Sequence, residues 1–192
     1  MRELDIRLAL RGHVLKEHGP DSETLVVEEL GLCQGESRVD LAVINSSLVG
    51  YEIKCPQDTL ERLPEQRRSY DLVFDKVVLV LSGEHVVSAE EMVPDWWGLM
   101  IAREANGQIG LSWKRSPSPN PGVDPHAVIQ LIWRDEALAK LEELGLAKGA
   151  RGARRQLLWE RLVEALPLDE LLEFVRAQIR SRADWRSDSI RA

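Results

Sequence analysis

Cysteine is almost absent from the 192 residues: Cys33 and Cys55 are the only two, and they stand in no metal-ligand spacing. A disulfide framework and a thiolate zinc site are therefore excluded, and both side chains are expected as free, partly buried thiols. The four histidines, His13, His18, His85 and His126, form no ligand pattern either. A glycine-rich phosphate loop and a serine nucleophile elbow are missing. No apolar run approaches the roughly 20 residues of a membrane span, and Met1-Arg2-Glu3-Leu4-Asp5 lacks the apolar core of a signal peptide. The expectation is a cytoplasmic protein with no membrane partner. Positive charge is also in short supply. A net charge of −7 argues against a protein that coats nucleic acid without specificity.

What is present reads as an ordinary globular chain, 44% hydrophobic and 30% charged. The length suits one domain with a sizeable core, or a small domain with an appendage. Residues 1–115 carry 13 basic and 20 acidic side chains, whereas 116–192 carry 12 of each. Any phosphate-binding face is therefore local. The candidates are Arg151, Arg154 and Arg155, in an acid-free stretch that also holds Lys148, and Arg67 with Arg68. The six tryptophans, Trp96-Trp97 among them, are expected to pack in the core or between helices rather than to stack on bases.

In chain order, residues 3–17 carry Leu4, Leu8, Val14 and Leu15 at helical spacing and end at His18-Gly19-Pro20, a strong stop. Residues 24–30 are rich in β-formers and predict a strand. Residues 38–44 and 48–55 flank Asn45-Ser46-Ser47 and predict a hairpin. Residues 58–74 are polar with a helical period in Leu60, Leu63, Tyr70 and Val73; Pro64 either kinks that helix or stands in its first turn. Val77 to Leu81 is a continuous apolar run, as in a strand covered on both faces. Ser88-Ala89-Glu90-Glu91 is a capping-box pattern for a short helix ending before Pro94. Residues 98–102 and 108–113 flank Asn106-Gly107, a hairpin turn. Residues 116–124, opening Ser-Pro-Ser-Pro-Asn-Pro-Gly, read as a linker, and three helices are expected beyond it at 125–144, 152–166 and 168–182. The domain reading is a core over 1–115 and a helical extension over 125–192.

The hairpin carries the chemistry. Asp40 lies in its first strand on the face of Ala42 and Ile44, and Glu52 shares a face with Lys54 in its second. Three charges inside otherwise apolar strands require neutralisation. Two carboxylates on neighbouring strands repel, a divalent cation removes that penalty, and a lysine two residues on reaches the same place.

Val39-Asp40 followed by Glu52-Ile53-Lys54 resembles the PD-(D/E)xK, or restriction-endonuclease-like, nucleases, and the element order resembles their αβββαβ core with a mixed central sheet. Gln66 and Tyr70, four apart after Glu-x-Lys, resemble the pair found in an exonuclease branch joined to recombination helicases. Arg38-Val39-Asp40, Gly50-Tyr51-Glu52-Ile53-Lys54 and Pro94-Asp95-Trp96-Trp97-Gly98 together are similar to a small, poorly characterised bacterial family of that superfamily with a helical C-terminal extension. The resemblance implies a nuclease acting on nucleic acid, with DNA favoured over RNA. Asp40, Glu52, the Ile53 carbonyl and Glu29 would hold Mg²⁺ or Mn²⁺, with Lys54, Gln66 and Tyr70 completing the site. Glu28 on the neighbouring face and Glu3 in the first helix stand as alternatives to Glu29. The competing expectation is a catalytically silent nuclease-like fold that binds nucleic acid or protein, its C-terminal helices serving a homodimer or another partner.

Overall fold

The computed structural model describes residues 2–18, 23–83 and 85–182. Six strands form one mixed sheet in chain order: β1 (Leu25–Leu32), β2 (Ser37–Ile44), β3 (Leu48–Lys54), β4 (Lys76–Ser82), β5 (Gly98–Ala105) and β6 (Gln108–Arg115). The first three are antiparallel neighbours, β3–β4 and β4–β5 are parallel, and β6 returns antiparallel. Parallel neighbours require crossovers, supplied by helix α2 (Leu63–Val73) between β3 and β4 and α3 (Val86–Met92) between β4 and β5. Helix α1 (Glu3–His18) precedes the sheet. The Asn106-Gly107 turn forms as expected, both residues having positive φ.

The sheet separates two apolar layers. Ile6, Leu10 and Val14 of α1 cover one face, against Leu41, Val43, Tyr51, Ile53, Val78 and Val80. This corrects the expected stripe, because Leu4, Leu8 and Leu15 are exposed. Spacing by four aligns 6, 10 and 14 along one side of the helix, and that row faces the sheet. On the other face Tyr70, Val73 and Phe74 pack against Ala42, Ile44, Leu79 and Leu81. Gly50 permits this approach, since a Cβ there would lie 2.7 Å from the Phe74 ring.

The extension forms four helices among the described residues, α4 (Pro125–Val128), α5 (Arg134–Glu143), α6 (Arg155–Ala165) and α7 (Leu168–Ser181). The expected helix over 125–144 is thus broken. Ile132 and Trp133 are extended, and the Glu136 carboxylate takes the Trp133 N–H at 2.7 Å, which starts α5 afresh. Likewise α3 begins two residues before Ser88, so the anticipated capping box is not used. Pro64 sits in the first turn of α2.

Leu158, Leu162, Leu171, Val175 and Ile179 join the same apolar layer as Leu25, Val27 and Ile44, so the extension finishes covering the face that α2 and α3 leave open. Of the anticipated α7 stripe, Leu171, Val175 and Ile179 are buried, Leu172 is half-buried and Leu168 is exposed. The Pro/Ser-rich segment is docked: Asn120 Nδ2 donates to the carbonyls of Asp71 and Phe74 at 2.7 and 2.8 Å, and Pro117 fills the space beside Gly98. No described helix is long and apolar enough to cross a membrane. The Gly19-Pro20 stop lies outside the described residues.

Because Ile179 belongs to the layer shared with the sheet, Ile179→Ala is expected to cost about 2–5 kcal/mol. Urea unfolding followed by tryptophan fluorescence and by far-ultraviolet dichroism should give one coincident transition. Two separated transitions would show that the extension folds on its own.

Candidate active site

The β2–β3 ladder pairs Leu41 with Tyr51 and goes no further toward Asp40. Past that point the Asp40 carboxylate takes the place of a backbone acceptor: its Oδ2 accepts the Ile53 N–H at 2.7 Å. N–H and C=O of one extended residue point to the same strand edge, so the Ile53 carbonyl faces the same fork. Alternation also slips here, since Val39 packs with the α2 layer while Leu41 packs with α1.

One residue on from Tyr51, Glu52 turns toward α2 and is only 2% exposed. Its Oε1 accepts from Lys54 Nζ at 2.8 Å and from Gln66 Nε2 at 2.5 Å, and the Tyr70 hydroxyl lies 2.6 Å from Oε2. Lys54 Nζ also donates to Gln66 Oε1 at 2.9 Å. Gln66 and Tyr70, one turn apart on α2, therefore do share a face, and that face meets Glu52. Tyr70 lies 2.8 Å from the Arg38 carbonyl as well, so its single proton is shared between two acceptors. Burial and the charges of Glu52 and Asp40 hold the Tyr70 phenol far above its ordinary range, which keeps it neutral.

Trp97 fixes this helix. Its ring stacks on Tyr70 at 6.0 Å and its Nε1 donates to Asp71 Oδ1 at 2.8 Å. The Pro94–Gly98 motif thus acts behind the site. Trp159 is also buried and Trp96 half-buried, whereas Trp113 and Trp133 are exposed and so depart from the expected packing role; Trp185 lies outside the described residues.

The acids on the opposite wall come from β1 and α1. Glu29 stands across from Asp40, between the Glu28–Leu41 and Leu30–Val39 pairs, with a positive φ of 56° that side chains rarely adopt. Carboxylate oxygens of Glu3, Glu29 and Asp40 lie within 4.8 Å of one another. The structure therefore brings both Glu3 and Glu29 to Asp40. Glu28 instead turns to Arg11, at 3.1 Å.

That oxygen cluster does not include Glu52, whose carboxylate is held on the α2 side by Lys54, Gln66 and Tyr70. Asp40 still senses it. Burial first, then the Glu52 charge, push the Asp40 carboxyl up to about 7, while the Ile53 N–H pulls the other way.

Sequence reasoning misses Arg7. It contacts Glu3, reaches Glu29 Oε1 at 2.7 Å, and lies 3.8 Å from Asp40 Oδ1. The available signal is its position one turn after Glu3 on a helix that leads into an acidic strand.

These residues line a cleft of about 480 Å³ walled by Glu3, Glu29, Arg38, Asp40, Glu52, Lys54, Asp58, Arg62 and Gln66, among others. Arg67 bonds to Asp71 and the Met92 carbonyl, tying α2 to α3, and Arg68 lies exposed on the same helix. Arg151 pairs with Glu142, and Arg154 is exposed. Arg155 covers the Trp159 ring and donates to Gln34 Oε1 at 3.2 Å, next to Gly35 on the cleft wall. Cys33 and Cys55 are both unbridged.

Fold and site together define a mixed α/β protein with a buried Glu–Lys pair at a strand fork, opening on an acidic cleft. The chain belongs to the Bacteriophage P4 protein cII family, whose model matches residues 1–191. Protein cII of Enterobacteria phage P4 is 24% identical over 182 residues, spanning 95% of this chain and 68% of that protein. A protein of unknown function from Silicibacter pomeroyi superposes over 73% of this chain and 87% of its own, with 20% identity and a TM-score of 0.42.

An acid whose carboxyl is raised on folding is protonated more readily in the native state. Native stability contributed by Asp40 is then present at low pH and is lost as pH rises from about 4 through about 7. Urea melts of the metal-free protein across that window should show the decline, and Asp40→Asn should flatten it.

Proposed function

We propose that the chain is a metal-dependent phosphodiesterase of the restriction-endonuclease-like kind, a nuclease with DNA favoured as substrate over RNA. The observation that carries this reading is the buried Glu52 carboxylate held by Lys54, Gln66 and Tyr70 beside Asp40 at the fork. A chain selected only for stability gains little from burying an ion pair, since apolar residues of the same volume serve as well or better.

The donor set suits a hard cation. An ionised carboxylate offers about four acceptor positions; Glu52 has three filled, and Asp40 has one filled by Ile53. Remaining positions on Asp40 and Glu52, with the Ile53 carbonyl, would hold Mg²⁺ or Mn²⁺, and Glu29 and Glu3 are placed to add ligands directly or through water. When bound, the cation supplies Lewis acidity and an acidified water. Lys54 has three donors and two partners, so one N–H is left to orient a water or a phosphate oxygen. Gln66 and Tyr70 hold the Glu52 carboxylate in place. The acidic cleft repels a phosphate chain, so cations at its rim must offset it: Arg38 and Arg62 on the wall and Arg155 on Gln34, with Arg154 and Arg151 preceding Arg155 in the chain as further candidates.

A second reading, a catalytically silent binding module with the C-terminal helices as its partner surface, is favoured by one feature. Arg7 already neutralises the acids a metal would use.

Asp40→Asn preserves an acceptor for the Ile53 N–H and should fold normally, yet lose cleavage of single-stranded or duplex DNA, or RNA, with Mg²⁺ or Mn²⁺. Lys54→Ala should cost on the order of 10² to 10³ in rate. Lys54 is 7% exposed and paired with Glu52, so this variant should also melt earlier. A wild type that cleaves none of these substrates, or an Asp40→Asn variant that cleaves equally well, favours the binding module. Joint replacement of Arg151, Arg154 and Arg155 by alanine should weaken DNA binding and flatten its salt dependence.

A further inference from the structure

We infer that Arg7 is a built-in counter-cation, holding the acids of the cleft in place while no divalent ion is bound and leaving them as the ion enters. The inference rests on the metal-site reading above. It concerns a residue that plays no part in that reading.

The side chain is 16% exposed and sits among four carboxylates. Its Nη2 contacts Glu3 Oε1, lies 2.7 Å from Glu29 Oε1 and 3.8 Å from Asp40 Oδ1, while Nη1 is 3.7 Å from Glu28 Oε2. Other cations take the outer acids: Arg11 reaches Glu28 at 3.1 Å and Arg38 reaches Glu29 at 3.2 Å. Lys54 is committed to Glu52. Among the described residues, Arg7 is thus the cation that reaches Asp40.

Glu3, Glu29 and Asp40, the acids it contacts, hold oxygens close enough to one another to bind a single ion. A dication at Asp40 with the guanidinium still in place would set like charges a few ångströms apart in a half-buried site, where solvent screens poorly. One of them has to leave. Arg7 is the one built to move, because a flexible stem carries its charge, whereas Asp40 is pinned by the Ile53 N–H. Its Nε is buried with no hydrogen-bond partner among the described residues, so the guanidinium is retained here by charge and not by a complete set of bonds. Deleting the charge therefore removes a competitor for the metal without removing a ligand.

Arg7→Met keeps the stem and removes the charge; Arg7→Lys keeps the charge. Mn²⁺ titrations of the folded full chain, followed by electron paramagnetic resonance, should give Arg7→Met a dissociation constant about tenfold or more below that of the wild type, with Arg7→Lys close to the wild type. Mn²⁺ should also raise the melting temperature of Arg7→Met by more than that of the wild type. Adding Asp40→Asn to Arg7→Met should abolish the gain. Should Arg7→Met fail to fold, the wild type itself reports: Mg²⁺ should shift the Arg7 Nε–Hε nuclear magnetic resonance signal at the midpoint of binding. Equal or weaker Mn²⁺ binding by folded Arg7→Met, or an Arg7 signal unmoved while Mg²⁺ binds, overturns the inference and leaves the metal site standing. Absence of binding by both folded proteins overturns the metal site, and the inference with it.

Discussion

A carboxylate with almost no exposure must be satisfied where it stands, and Glu52 sets that requirement for the whole molecule. Lys54 comes from the same strand face, but Gln66 and Tyr70 reach Glu52 only if α2 lies at one height and one rotation. That placement is enforced from behind. Trp97 stacks on Tyr70, Phe74 enters the space left by Gly50, and Asn120 bonds carbonyls at the end of α2. The segment after β6 is therefore docked along its length, and the extension closes the remaining sheet surface around it. Arg176 of α7 joins in by pairing with Asp75 at 3.1 Å, just after α2.

The second constraint is repulsion. Asp40 substitutes for a backbone acceptor where β2 and β3 part, and this brings it near Glu52 on one side and Glu29 and Glu3 on the other. A left-handed backbone at Glu29 costs on the order of 1 kcal/mol or more and is tolerated because its carboxylate is tied by Arg7 and Arg38. Cleft and cations are balanced against each other, and the raised Asp40 carboxyl reflects its burial first and then the repulsion that the balance leaves.

Much of this is legible in the chain. The charged residues within the hairpin strands, the alternation that pairs Glu52 with Lys54, and the four-residue step from Gln66 to Tyr70 are local patterns, and local patterns survive folding. The order of helices and strands follows from period and turn chemistry. Other features depend on what lies across space. Leu4, Leu8 and Leu15 satisfy a helical period as well as Ile6, Leu10 and Val14 do, and only the docking direction of α1 decides between them. The break at Ile132 and Trp133 comes from an extended pair followed by a Glu136 cap, where helix-forming composition on both sides suggests continuity. Arg7 and Asp40 belong to elements separated in the chain by the whole of β1, and their contact exists only once α1 lies over the fork.

Whether the fork at Asp40 and Ile53 is a divalent-metal site is tested most directly by diffraction from crystals of the wild-type protein grown with Mn²⁺. Anomalous scattering should place a manganese peak against the Asp40 carboxylate and the Ile53 carbonyl, with the Arg7 guanidinium withdrawn. A map without manganese at the fork, and with Arg7 still on Glu29 at saturating Mn²⁺, would contradict it.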